Sequence, residues 1–210
     1  MVETARMRGC GNSAAALVAL REEAMACRRC PLWKRATQTV FGEGPAEAKL
    51  MLVGEQPGDQ EDLHGHPFVG PAGQVLDRAM RDAGVDRGEV YLTNAVKHFK
   101  FEPRGKRRIH SKPQTTEIEA CKWWIDQERA LVRPVVTVMM GATAARSLLG
   151  RAVTISGTRG RAIPLDESGE GWVTIHPSYL LRIREKADAE REYERFVADL
   201  TQAKARTETR

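Results

Sequence analysis

The chain has 210 residues, 41% apolar and 29% charged, which is enough for one sizeable core and unlike a disordered chain. Its apolar runs are short, such as Val135 to Met140 with Thr137 inside, and residues 1–10 lack the pattern of an export signal. A single domain over residues 1–210, cytoplasmic, monomeric and without membrane contact, is therefore expected. The net charge of +5 is concentrated: residues 97–112 carry seven Lys or Arg and one Glu, whereas residues 182–210 carry eight basic and seven acidic residues. The first segment suits a polyanionic partner, and the second reads as a solvated helix.

In chain order, Ala14 to Met25 predicts a helix that ends at a cysteine pair, and residues 31–48 predict a covering loop. Lys49 to Val53 is a buried-strand run that breaks into Gly54-Glu-Gln-Pro-Gly-Asp59, where Pro57 and the glycines forbid an immediate helix. A second irregular stretch, His66 to Gly73, leads into a helix over about Gln74 to Ala83. Val90 to Thr93 is the next strand, followed by a basic loop and a helix from about Thr115 to Glu128 behind Pro113. Then come a strand at Val135 to Met140, a helix from Gly141 to Leu149, and short strands near Arg151 to Ile155, Arg161 to Leu165 and Trp172 to Ile175. A terminal helix runs from Glu185 to about Ala205. Strands alternating with helices predict an α/β fold, a sandwich with a mainly parallel sheet. Ligands bind such sheets beyond the carboxyl ends of the strands, where Gly54 to Asp59, Asn94 to His98 and His176 all fall.

These loops carry the candidate chemistry. Gly54 to Gly58 is too short for a nucleotide P-loop and has no Lys followed by Ser or Thr. Glu55 and Asp59 are either solvated loop carboxylates or, beside a cationic segment, an acid, base or electrostatic stabiliser. Asn94 either ties down a turn or reads the edge of a nucleobase, since its amide carries both donor and acceptor. Phe68 offers a flat apolar face for packing or for base stacking. His110, at the end of Gly105-Lys-Arg-Arg-Ile-His110, is a candidate base or nucleophile, with Lys106, Arg107 and Arg108 attracting phosphate. His176 is a structural histidine or a donor to developing negative charge, and Arg182 is a second phosphate contact.

Four cysteines, Cys10, Cys27, Cys30 and Cys121, form no secreted disulfide framework. Pro31 follows the Cys27–Cys30 pair and no strand precedes it, which argues against a redox motif and for half of a metal or cluster site. Cys121 supplies a third ligand. The fourth is Cys10 or a histidine, and His98, just past the second strand, is better placed than terminal Cys10. Three Cys and one His also suit structural zinc.

From about Cys27 to the terminal helix the chain resembles the uracil-DNA glycosylase superfamily, in its iron–sulfur branch around family 4 and the X-type (UdgX) group. The resemblance rests on Gly54-Glu-Gln-Pro-Gly-Asp59 with Glu61-Asp62, Pro67 to Gly73, Thr93-Asn-Ala-Val-Lys97 and His176-Pro-Ser178. Gln56 and Lys106-Arg-Arg-Ile-His110 mark the X-type group. The resemblance implies a three-layer α/β/α sandwich and a [4Fe–4S] cluster on Cys27, Cys30, His98 and Cys121, with Cys10 spare. It implies uracil-containing DNA, single- or double-stranded, as partner, and excision of the base. Phe68 would stack on the base, Asn94 would read it, backbone near Gln56 would add contacts, and His176 would support the leaving oxygen. In the X-type group His110 then bonds to C1′ of the sugar, oriented by Glu55 in preference to Asp59. A multiple-turnover glycosylase using water and a non-catalytic nucleic-acid binder are the alternatives.

Overall fold

The computed structural model describes residues 3–166 and 169–209, with side chains from residue 13 onward except that of residue 166. The elements are α1 (Glu3–Met25), a 3-10 turn (Pro31–Lys34), β1 (Leu50–Gly54), α2 (Asp59–His64), α3 (Pro71–Asp82), a 3-10 turn (Arg87–Glu89), β2 (Val90–Asn94), β3 (Phe101–Arg104), β4 (Arg107–His110), α4 (Thr115–Val132), β5 (Val136–Met140), α5 (Ala142–Leu149), α6 (Ile155–Thr158), β6 (Ala162–Asp166), β7 (Gly169–Thr174), α7 (Pro177–Leu180) and α8 (Lys186–Glu208).

Every residue of β1, β2 and β5 is buried, as central strands of a sheet covered on both faces require. The sheet order is β2-β1-β5-β7-β6, parallel except for β6, which pairs antiparallel with β7 at one edge. Alternate residues feed two cores. Met51, Val53, Tyr91, Met139 and Val173 pack against α1, α4 and α5 through Leu17, Leu20, Ile118, Trp124 and Ala144. Leu50, Leu52, Leu92, Val138 and Met140 pack against α3 and α8 through Leu76, Met80, Phe196 and Leu200. Each large apolar side chain buried in this way contributes about 1.5–3 kcal/mol. The result is a three-layer α/β/α sandwich, as expected.

Four local expectations change. The segment expected to be a flexible basic loop is a β-hairpin, β3 paired with β4 from Phe101↔His110 to Arg104↔Arg107. Gly105, at φ +59°, makes its tight turn possible. Arg151 to Ile155 is not a strand, and Ile155–Thr158 forms a helical turn instead. After Pro57 and Gly58 the chain recovers at once into α2, which Glu61 caps by accepting the Gly58 N–H at 3.0 Å. The first helix starts at Glu3 instead of Ala14, and the Cys10 side chain lies outside the described residues. Among the described residues no helix is long and apolar enough to cross a membrane.

Candidate active site

The three irregular loops meet at the carboxyl ends of β1, β2 and β7, around a cavity of about 840 Å³ lined by Glu55, Gln56, Asp59, Phe68, Asn94, His110, His176 and Arg182 among others. Gly54 lies directly against three of these side chains. In the β1–β2 register Gly54 lies opposite Asn94. A Cβ on Gly54 would sit 2.3 Å from Asn94 Oδ1, 2.7 Å from Phe68 Cζ and 3.4 Å from His176 Nε2. Three side chains therefore converge on one glycine, and no larger residue fits beneath them.

Each member of this group is held. Phe68 takes a left-handed backbone, φ +58°, and its carbonyl packs where a Cβ on Gly73 would fall, at 1.9 Å. Its ring stacks near His176, with centroids 6.4 Å apart. Asn94 is buried, and its Oδ1 has no hydrogen-bond partner among the described residues. A buried acceptor left unpaired beside an aromatic face is suited to an N–H donor on a flat ligand. His176 Nδ1 accepts the backbone N–H of Ser178 at 3.2 Å, which leaves the ring proton on Nε2, the atom nearest Gly54. Burial pushes the His176 pKa down to about 4; Glu55 opposes this, while His110 and Arg182 reinforce it. The ring is thus a neutral donor at ordinary pH.

His110 lies at the end of β4, half-exposed, with Nε2 3.2 Å from Glu55 Oε1. The other Glu55 oxygen accepts the hydroxyl of Thr143, in the first turn of α5. Burial alone would raise the Glu55 pKa, but hydrogen bonds from His110 and Thr143, with the nearby His176, hold it below the usual glutamate value. Asp59 faces a different partner. Arg108 donates from Nε to Asp59 Oδ1 and from Nη1 to Asp62 Oδ2, each at 2.6 Å, and its guanidinium lies over Phe99 and Phe101. Glu55, not Asp59, is the carboxylate in contact with His110.

These contacts revise the basic segment. Arg108 was expected to hold phosphate; its charge is instead engaged inside the protein, pinning the hairpin to α2. Lys106 and Arg107, at the turn, remain exposed. Gln56 is buried and lines the cavity, while its side chain is bonded to the base of the hairpin. Its Nε2 donates to the carbonyls of Lys100 and Ser111, both at 3.1 Å, and its Oε1 accepts the Lys100 N–H at 3.1 Å. Lys100 also donates to Glu117 at 2.9 Å. Lys97, counted above with the cationic surface, is fully buried. Its Nζ donates to Glu128, to Thr93 Oγ1 at 2.6 Å and to the Asn94 carbonyl at 2.8 Å. Glu128 is further satisfied by Tyr91, Thr93 and the Gly42 N–H.

Residue-type arguments missed several of these roles. Glu61 accepts backbone N–H groups from Gly58 and Gly70, joining the two irregular loops, and Asp62 accepts the Thr37 N–H besides Arg108. Their position directly after Gly54 to Asp59 was the available signal. For Thr143 there was none, because a threonine at a helix start reads as an ordinary first-turn residue.

Cys27, Cys30 and Cys121 are buried, free of disulfides and close enough for their charges to interact. Two thiols already accept N–H groups: Cys27 from the Trp124 indole at 3.1 Å and Cys121 from the Lys97 backbone at 3.2 Å. His98 is also buried. Thr39 gives its hydroxyl proton to the Ala24 carbonyl, so in the 3.0 Å contact with His98 it is Nε2–H that donates. Nδ1 then keeps a lone pair that is buried and without a partner among the described residues. Among the described residues no three His, Cys, Asp or Glu side chains converge to hold a single metal ion. A four-iron cluster takes one ligand per iron and needs no such convergence. Three buried thiols, two of them accepting N–H groups, and one orphaned imidazole nitrogen fit that group.

Residues 41–201 match the family model of the uracil DNA glycosylase superfamily. The chain is 39% identical over 166 residues to a type-4 uracil-DNA glycosylase of Thermotoga maritima, covering 78% of this chain and 82% of that protein. It is 36% identical over 163 residues to the type-4 enzyme of Pyrobaculum aerophilum, covering 74% and 80%. With the type-4 enzyme of Archaeoglobus fulgidus the identity is 33% over 178 residues, covering 80% and 86%. A sandwich whose strand ends gather Gly54, Phe68, Asn94 and His176 around one cavity, with these matches along most of its length, belongs to the uracil-DNA glycosylase superfamily and is similar to its type-4 members.

Proposed function

We propose that this protein excises uracil from DNA and retains the resulting sugar as a covalent adduct on His110. The observation that carries the reading is the 3.2 Å contact between His110 Nε2 and Glu55 Oε1 at a cavity floored by Asn94, Phe68 and His176. The type-4 glycosylases that the chain resembles support the excision, and the match of residues 106–110 to the X-type group supports the adduct.

A flipped uridine would place its base against Phe68, with unstacking costing a few kcal/mol that a single strand largely avoids. The orphaned Asn94 Oδ1 accepts N3–H of uracil, and the same amide donates to the adjacent carbonyl oxygen. Cytosine presents the reverse pattern and is refused. The C1′–N1 bond breaks with its electron pair passing to the base, and the neutral His176 Nε2–H donates to the oxygen that gathers this charge. The Glu55 carboxylate stabilises the oxocarbenium character at C1′. An imidazole nitrogen of His110 then donates its lone pair to C1′, and the proton displaced from the ring passes to Glu55. Lys106, Arg107 and Arg182 supply cations at the rim for the phosphate backbone. Cys27, Cys30, His98 and Cys121 would hold a [4Fe–4S] cluster, which when bound braces α1, α4 and the chain after β2 without entering the reaction.

Incubation with a uracil-containing oligonucleotide, followed by denaturing electrophoresis and counting of free uracil, tests this reading. The expected result is a denaturation-resistant complex and about one uracil released per protein, because a bonded histidine does not turn over. Continued release without a complex would mark a glycosylase that uses water. No release at all would leave a nucleic-acid binder.

A further inference from the structure

The geometry points to Thr143 as a positioning residue for the reaction, acting through Glu55 on His110. The inference rests on the reading of Glu55 and His110 given above and extends it to a residue on a different layer of the fold.

Glu55 has two oxygens and each has one side-chain partner. Oε1 faces His110 Nε2 at 3.2 Å, and Oε2 accepts the Thr143 hydroxyl. A carboxylate held at one oxygen only is free to rotate about its terminal bond, and with it the direction in which it meets the imidazole. Thr143 removes that freedom. Thr143, Glu55 and His110 thus form a chain of three groups in which the outermost fixes the middle one and the middle one fixes the nucleophile.

Thr143 is itself held in place. It is buried, in the first turn of α5, two residues after Gly141. Gly141 adopts φ +94°, and its missing Cβ would fall 3.2 Å from His176 Cβ. Its N–H is tied to the Thr174 carbonyl at 2.9 Å. A residue with a side chain at 141 could not take this path, so the glycine lets α5 begin close under His176 and deliver the threonine to Glu55. The start of α5 also presents the favourable end of a helix to a carboxylate.

Charged and titratable neighbours set the sign of the effect. Glu55 is faced by His110 from β4, by His176 from the end of β7 and by the Thr143 hydroxyl from α5. The last two groups are uncharged at neutral pH, so removing the hydroxyl deletes one of two direct hydrogen bonds to the ionised form. The carboxyl must then rise toward the value that burial alone would impose.

The test uses the whole protein with Thr143→Val and Thr143→Ser. In the DNA-free protein, the Glu55 carboxyl carbon is titrated by NMR. Separately, the rate of adduct formation on a uracil oligonucleotide is measured against pH. Thr143→Val should move the Glu55 midpoint and the acid limb of the rate profile upward together, and slow adduct formation on the order of tenfold. Thr143→Ser, which keeps the donor, should restore both. A Glu55 midpoint that does not move in Thr143→Val, or a Ser variant as impaired as the Val variant, would overturn the inference. If the midpoint moves while the wild-type protein forms no adduct, the fault lies with the proposed function and the link from Thr143 to Glu55 stands.

Discussion

Arg108 reaches Asp62 Oδ2 at 2.6 Å, and two residues further along the same strand His110 meets Glu55. In a β-strand residues two apart share a face, so the ion pair that pins Arg108 to α2 also sets the side of the hairpin on which His110 points. Asp62 is fully buried, and Arg108 donates to its carboxylate and to both the carboxylate and the backbone carbonyl of Asp59. Arg108→Ala should therefore release the hairpin, with faster hydrogen exchange of residues 101–110 and loss of the adduct. Excision should be reduced less, because Asn94, Phe68 and His176 do not lie on the hairpin. Unchanged exchange and adduct yield in this variant would contradict the role assigned to the ion pair.

Gly54→Ala tests the base site. The new methyl would fall 2.3 Å from Asn94 Oδ1 and 2.7 Å from Phe68 Cζ, and both side chains are buried with little room to move. A misplacement approaching 1 Å at a reacting centre costs about 10²-fold in rate, and uracil release should fall by about that much with the circular dichroism spectrum preserved. A near-wild-type release rate would show that the base sits elsewhere in the cavity.

Lys97 and Glu128 form an ion pair with both side chains out of solvent. Lys97→Met leaves the carboxylate buried without its cation and should destabilise the fold by about 3–5 kcal/mol in chemical denaturation. Adding Glu128→Gln removes the stranded charge and should recover part of that loss. Since Lys97 also donates to the Asn94 carbonyl, the double variant should still process uracil more slowly than wild type.

His176 gives the fold a pH dependence. Its pKa falls from 6.5 to about 4 on burial, so the unfolded chain takes up a proton at a pH where the folded ring stays neutral. Folded-state stability from this group is therefore complete above about pH 6.5 and is lost as pH falls toward about 4, by at most about 3 kcal/mol. Wild-type protein should lose more thermal stability between about pH 7 and pH 4.5 than His176→Asn does. Parallel losses in the two proteins would place the acid sensitivity in other groups.

Much of the layout was legible in the sequence because it is local. Leu50 to Gly54 and Val136 to Met140 are apolar on both faces, and only a covered parallel strand satisfies that. Asn94, His176 and Glu55 stood out because they follow strand runs directly. Pairings distant in the chain were not legible. Lys97 read as surface charge because its partner, Glu128, lies 31 residues on, and Arg108 read as a phosphate contact because Asp62 lies 46 residues back. Residues 101–110 read as a loop because Gly105 and six nearby cations obscured two four-residue strands, and exposed two-stranded ribbons lack an apolar face to betray them. Gln56 lines the cavity as expected, but its three side-chain bonds to the backbone of Lys100 and Ser111 were not legible, because those residues lie 44 and 55 positions on.

The covalent role of His110 is the central claim, and peptide mapping of the denatured protein–DNA complex tests it most directly. After reaction with a uracil-containing oligonucleotide and nuclease trimming, tandem mass spectrometry should place the deoxyribose on His110 in wild-type protein. In His110→Gly the complex should be absent, with uracil still released, because the vacated space admits water to C1′. Deoxyribose found on Glu55, Lys106 or any residue other than His110 would contradict the account.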